Sequence, residues 1–372
     1  MKVGICFGGY CPMHRGHLDL IMRSKKENDK CVIVVCGFES EPRGQEIGLE
    51  ISKREQLIRQ FFKEDEQIVV FGINDTDLGI DESMCPSNWE IWFNRVILNT
   101  ELSLGLNKDI QGNYFEDVEF TVYVAEEFYK QRLDGLGRKN VKTILMPKEI
   151  EISATRIRKE PLKYWDYIVP TFRSGFSHNI LVIGTASEGK STLVQDIRRY
   201  FGILGVEEYG RTYMAERKMR DQDLRVVDFM EFLIKQRAKS LSAINSSAGK
   251  GIFISDTDNL ITLMYAKSYT LNPEMSITPQ DYDEILYPLA KSLKKGLEWN
   301  KIFMLPPGKK FVDDGTRYMG QASLEERTKN YEILNQLIDK FGYREKVEVL
   351  QGTFYENFLK VKEYINERIR FT

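Results

Sequence analysis

Histidine is scarce in this sequence, with three residues in 372. Cysteine is scarce too: Cys6, Cys11, Cys31, Cys36 and Cys85 are the whole set, and no two form a Cys-x-x-Cys pair. That spacing offers neither a disulfide framework nor a zinc site, and it points to reduced thiols. No apolar run approaches the roughly 18 residues of a membrane span, and the first strand-like segment turns glycine-rich too soon for a signal-peptide core. A cytoplasmic protein with no membrane partner is therefore expected. Excess charge is also missing. The 53 Lys and Arg stand against 55 Asp and Glu, a formal net charge of -2, which leaves no strong electrostatic footprint for duplex nucleic acid. There is no repeat at a fixed period and no low-complexity segment. What remains is an ordinary globular composition, 42% hydrophobic and 29% charged, long enough for two domains.

Short apolar runs alternate with amphipathic stretches through the first half. KVGICF at 2, CVIVVCGF at 31, QIVVFGI at 67, VEFTVYVA at 118 and VKTILM at 141 read as buried strands. ISKREQLIRQFF at 51 reads as a helix, with Ser52 and Glu55 at capping-box spacing. A second alternation starts at HNILVIGTASEGKSTLVQDI, residues 178 to 197, and continues through GIFISD at 251, KIFMLPP at 301 and KVEVLQG at 346. Strands alternating with helices predict mainly parallel sheets covered on both faces, with ligands beyond the carboxyl ends of the strands. The fold class expected is α/β, as two tandem domains. Their expected bounds are 1–170 and 178–372, joined by a linker at 171–177.

FGGYCPMHRGH, beginning at residue 7, holds two of the three histidines, His14 and His17, beside three glycines. Three positions are almost one helical turn, so both imidazoles fall on one face of a first turn, beside free backbone amides. Gly8 and Gly9 let a ligand approach the backbone, and the histidines can donate to phosphate oxygens. This stretch resembles the HxGH signature of the nucleotidyltransferase superfamily, and ISATRIRKEP at 152 resembles its ISxTxxR motif. The resemblance implies a Rossmann-like domain that transfers an adenylyl group from ATP and releases pyrophosphate. It implies ATP contacts at Phe7, Gly8, Gly9, Tyr10, His14, His17, Ser153, Thr155 and Arg158, with His14, His17 and Arg158 catalytic. Cys11, though adjacent, needs no catalytic part. The pair Trp89 and Trp92, at i and i+3, suits helix packing or a stacking wall for a flat cationic ring.

GTASEGKS at 184 fits GxxxxGK followed by Ser, after an apolar strand and before an amphipathic helix. ATP binding is expected across Gly184, Thr185, Ala186, Ser187, Glu188, Gly189, Lys190, Ser191 and Thr192. Lys190 would reach the outer phosphates and Ser191 would hold Mg²⁺. GIFISDTDN at 251 places Asp256 and Asp258 at a strand's carboxyl end, with Asp256 expected to serve Mg²⁺ or to act as base. Arg317, in VDDGTRYMG at 312, would close over the transferred phosphoryl group.

Taken together the chain resembles the bifunctional NadR family, through both nucleotide motifs and through NWEIW, the helical hinge IRKEPLKYWDYI, EEYGRTY at 207, DTDN at 256 and DDGTR at 313. That resemblance implies phosphorylation of nicotinamide riboside by a P-loop kinase domain and adenylation of the nicotinamide mononucleotide product to NAD. It also implies substrate contacts at Trp89, Trp92, Glu208, Tyr209, Arg211 and Asp258. The partners expected are ATP, nicotinamide riboside, nicotinamide mononucleotide and NAD. DNA binding is not expected, because the first strand begins at Lys2, and a homo-oligomer is left open. Two rivals share the motifs: a coenzyme A synthase, and a single catalytic domain joined to a nucleotide sensor.

Overall fold

The computed structural model describes residues 1–38, 41–75, 89–107, 117–147, 150–246, 251–294, 297–308, 310–312 and 323–370. The chain divides into two compact units, Met1–Phe176 and Ser177–Thr372.

In the first unit each of the five apolar runs is a strand: β1 (Lys2–Gly8), β2 (Lys30–Gly37), β3 (Ile68–Asn74), β4 (Glu119–Val124) and β5 (Val141–Leu145). They pair in parallel in the order β3-β2-β1-β4-β5. Alternation along β1 assigns its two faces. Val3 and Ile5 join Val32, Val34 and Val122 under Trp92, Phe93 and Val96 of the helix Trp89–Leu104. On the other face, Cys6 Sγ lies 3.8 Å from the carbonyl of Leu20, in the helix Arg15–Glu27. Strands buried on both faces need continuous apolar runs rather than alternation, as the sequence has them.

Two local expectations change. The helix over residue 51 spans Ile51–Phe61 with Glu50 as its N-cap, so Ser52 lies inside its first turn instead of capping it. Ile51, 3% exposed, is already in the core and draws the start of the helix forward. The hinge at IRKEPLKYWDYI is not one helix. A short helix Ala154–Lys159 stops before Glu160 and Pro161, and a 3-10 turn follows at Trp165–Tyr167. Proline disfavours the helical region for the residue before it. The segment expected as a linker is largely a second 3-10 turn, Pro170–Gly175, with Phe172 fully buried in the first unit.

The second unit carries β6 (His178–Gly184), β7 (Ile252–Ser255), β8 (Lys301–Leu305) and β9 (Val347–Val349), parallel in the order β7-β6-β8-β9. Ile180, Leu181, Val182 and Ile183 are all fully buried, which makes β6 the centre of this core. In both sheets the first strand in sequence has its next two partners on opposite sides. The loop leaving that strand therefore opens at the switch point, where an α/β sheet offers a crevice. The third histidine, His178, starts β6 at the far end. Its Nε2 lies 2.9 Å from the Tyr364 hydroxyl, and burial lowers its pKa to about 4.

Candidate functional sites

In the first unit, β1 runs into the glycine loop and then into the helix Arg15–Glu27, whose N-cap is His14. His14 and His17 come together as the spacing predicts, with rings stacked 3.7 Å apart. The backbone N–H of His14 donates to Nδ1 of His17 at 3.2 Å. A cavity of about 410 Å³ opens here, and its walls include Phe7, Gly8, Gly9, His14, His17 and Ser153. Trp89 and Trp92 complete the far wall. Both are nearly buried and pack edge-on to Phe7, at 6.5 and 4.9 Å between centroids, so they belong at once to the core and to the cavity.

The second motif is brought onto the first. Arg158 donates to the carbonyl of Cys11 at 2.5 Å and to the Thr155 hydroxyl at 3.2 Å. Ser153 is the N-cap of its short helix and accepts from Arg156 N at 3.2 Å. Val169 N donates to Met13 O at 3.1 Å, which fastens the end of the unit to the same loop. Tyr10 departs from the expectation. It takes a positive φ of 45°, is 2% exposed, and its ring lies 3.5 Å from where a Gly8 side chain would begin, turned into the core beneath the loop. Burial pushes the Cys11 thiol up, and its Sγ lies 3.6 Å from Arg43 O, so the sulfur is no activated nucleophile.

Four residues outside the motifs also shape this site. Arg54, fully buried, donates to the carbonyl of Gly9 and to Glu41, and Glu41 also accepts from Arg43. The signal was present in the helix Ile51–Phe61, where Arg54 stands on the buried stripe with Ile51, Leu57 and Ile58. A charge on an apolar face is rarely idle. Asp75, just beyond β3, also lines the cavity. Burial and then the Glu41 carboxylate raise its pKa from 3.8 to about 6, while a hydrogen bond with Trp92 opposes them. No sequence motif marks it.

In the second unit, β6 runs through the loop 184–189 into the helix Lys190–Phe201. Lys190 Nζ donates to Thr185 O at 2.6 Å. Ser191 donates to the carboxylate of Asp256, at the end of β7. Ser187 takes φ 65° and its hydroxyl accepts from Val312 N at 3.0 Å. Thr185 and Ala186 are buried, whereas Thr192 faces outward on the helix. Asp258 is differently employed from what was expected. Its carboxylate accepts from Trp299 Nε1 and from Asn259 N, both at 2.5 Å, as the N-cap of the helix Asn259–Tyr269. With both oxygens engaged, the acid available beside Ser191 is Asp256.

A smaller cavity, about 70 Å³, is lined by Glu208, Arg211, Phe229, Phe232, Thr257 and Tyr265 among others. Arg211 Nε donates to Glu208 at 2.6 Å. Tyr209 points elsewhere, its hydroxyl donating to Glu231 at 2.6 Å. Arg317, with the rest of DDGTR, lies outside the described residues. Among the described residues no helix is long and apolar enough to cross a membrane, and no group of three or more His, Cys, Asp or Glu gathers for a metal.

Comparison with known proteins covers both units. A family model described as an AAA domain matches residues 179–356. The trifunctional NAD biosynthesis/regulator protein NadR of Salmonella typhimurium is 25% identical over 98% of this chain and 83% of its own length. Its counterpart from Escherichia coli is 24% identical over the same shares. Among solved structures, a NadR protein in complex with NR matches with a TM-score of 0.77 at 28% identity, covering 98% of this chain and 96% of that one. A NadR protein in complex with NAD and AMP-PNP matches with a TM-score of 0.73 at the same identity and coverage.

Proposed function

This chain belongs to the NadR family, and from that premise we propose that it makes NAD in two ATP-dependent steps, one in each unit. The second unit phosphorylates the 5′-hydroxyl of nicotinamide riboside. The first joins the resulting mononucleotide to the adenylyl group of ATP and releases pyrophosphate. The observation that carries this reading is the pair of switch-point loops, each running from the central strand of its sheet into the start of a helix. Helix starts of that kind favour phosphate.

Phosphoryl transfer passes through a loose transition state, so the second unit chiefly aligns two ligands and neutralises charge. Lys190, now on Thr185 O, turns to the outer phosphates of ATP. Ser191 and Asp256 suit Mg²⁺: they are two hard oxygen donors in contact beside a phosphate loop, the rest of an octahedral shell being left to water and phosphate. When bound, that ion would neutralise phosphate oxygens. Glu208 and Arg211 line the cavity taken by the riboside.

In the first unit His14 and His17 donate to phosphate oxygens of ATP. Arg158 holds the loop that carries them, with a guanidinium near enough to share the charge of the leaving pyrophosphate. The wall of Trp89, Trp92 and Phe7 receives the nicotinamide ring, whose positive charge is favoured against aromatic faces. Removing one phosphate donor in such a site costs about a hundredfold or more. His17→Ala should therefore abolish NAD formation from the mononucleotide while sparing riboside phosphorylation, and Lys190→Ala should do the reverse. Separate assays of ADP and pyrophosphate release check both, with phosphopantetheine as the competing substrate. Turnover of phosphopantetheine alone would refute the nicotinamide assignment.

A further inference from the structure

A carboxylate inside a phosphate-binding loop stands against the loop's own electrostatics. Glu188 is such a group, directly before Gly189 and Lys190, and it is 1% exposed. Its Oε1 accepts from Arg327 Nη1 at 2.6 Å and from Gly308 N at 3.3 Å. Arg327 is 4% exposed and lies in the first turn of the helix Leu324–Lys340, 139 positions further along the chain. Gly308 follows β8. One acidic side chain thus ties the loop after β6 to the segment after β8 and to a helix start.

An isolated carboxylate buried beside the binding place of a triphosphate would repel that polyanion with little solvent screening. Water cannot relieve it, because neither side chain is accessible. We propose that Arg327 is a positioning residue for the kinase reaction: by neutralising Glu188 it removes a standing negative charge from the phosphate loop and holds the loop ready for ATP. The guanidinium donates to Glu188 through Nη1 and acts through that carboxylate, not on the nucleotide. This rests on the reading of the second unit as an ATP-dependent kinase, and it adds to that reading a residue outside the nucleotide motif.

The test uses the full chain. Arg327→Met should raise the KM for ATP in riboside phosphorylation about tenfold or more, with kcat changed less than about threefold, since ground-state affinity is what the charge controls. Arg327→Lys, which keeps the cation, should stay within about threefold of the parent KM. Adding Glu188→Gln to Arg327→Met should restore the KM, because the charge left uncompensated is gone. Binding of AMP-PNP, measured by calorimetry in a His17→Ala background, should follow the same order whether or not riboside is the substrate. An unchanged dissociation constant in Arg327→Met overturns the proposal. So does a double variant as weak as Arg327→Met, which would mean that the arginine contacts phosphate itself. Absence of riboside phosphorylation in the parent, with the binding order intact, would instead refute the function and leave the charge compensation standing.

Discussion

One ring nitrogen of His17, Nδ1, accepts from the backbone of the same glycine loop. Because the His14 amide donates to Nδ1, the neutral ring carries its proton on Nε2 and presents a donor there. His17→Gln would keep a donor without the Nδ1 acceptor that fixes the ring, and His17→Ala would keep neither, which is why alanine is the sharper probe. Asp75 tells a different story on the opposite wall. Its pKa of about 6 in the folded chain lies above the ordinary 3.8, so between those values the folded state holds a proton that the unfolded state has released. The stability this gives is complete below the ordinary value and is lost as pH rises through about 6. Asp75→Asn cannot ionise. It should therefore melt above the parent at about pH 7.5 and level with it near pH 4, in melting curves that resolve the first unit. A variant less stable than the parent at neutral pH would contradict the burial account. An acid kept on a cavity wall against its own stability is the usual sign of a group held for function.

Elements decide how closely a phosphate loop can be drawn to its sheet. Gly184 ends β6 at φ 152°, and a side chain there would meet the carbonyl of Leu305 at 2.5 Å, the last residue of the neighbouring β8. Gly342 also has positive φ, 71°, but open space around it. Both change to alanine at a backbone cost of about 1 kcal/mol. Gly184→Ala adds a backbone collision, which brings the loss to about 3 kcal/mol or more. Urea unfolding should separate the two in that order, and riboside phosphorylation should fail only in Gly184→Ala. Equal losses would mean that β8 yields freely and the spacing is not fixed. Gly184 could be singled out beforehand because its motif is local, strand then loop then helix within twenty residues. For the same reason the nine strands among the described residues could be found from apolar runs. Arg54 and Arg327 could not be assigned that way, although each stands on the buried stripe of its helix, with Ile51 and Leu57 in one case and Leu334 and Leu337 in the other. A helical pattern reveals that a charge is buried. It does not name the carboxylate that meets it across 13 or 139 positions. Asp258 shows the same limit, since its partner Trp299 lies 41 positions away and no motif includes it.

Across the whole molecule, two complete α/β units stand in sequence, each with its own sheet, switch point and buried core. Among the described residues, the cavity of the first unit is lined from within Met1–Phe176 and that of the second from within Ser177–Thr372. The chemistry then requires only that nicotinamide mononucleotide leave one site and reach the other. Two chains, each with one dead site, should therefore complement when mixed. Lys190→Ala keeps the adenylyl transfer and His17→Ala keeps the kinase, so the mixture should turn nicotinamide riboside and ATP into NAD although neither variant does so alone. Free mononucleotide should build up first, giving a lag that shortens as the concentration of Lys190→Ala protein rises. A mononucleotide-consuming enzyme added as a trap should abolish NAD formation in the mixture. In the parent it should do the same if the intermediate is released to solvent, because one chain and two half-active chains then see the same free pool. Parent protein that continues to make NAD in the presence of the trap, while the mixture stops, would show that the mononucleotide passes between the sites of one chain without release.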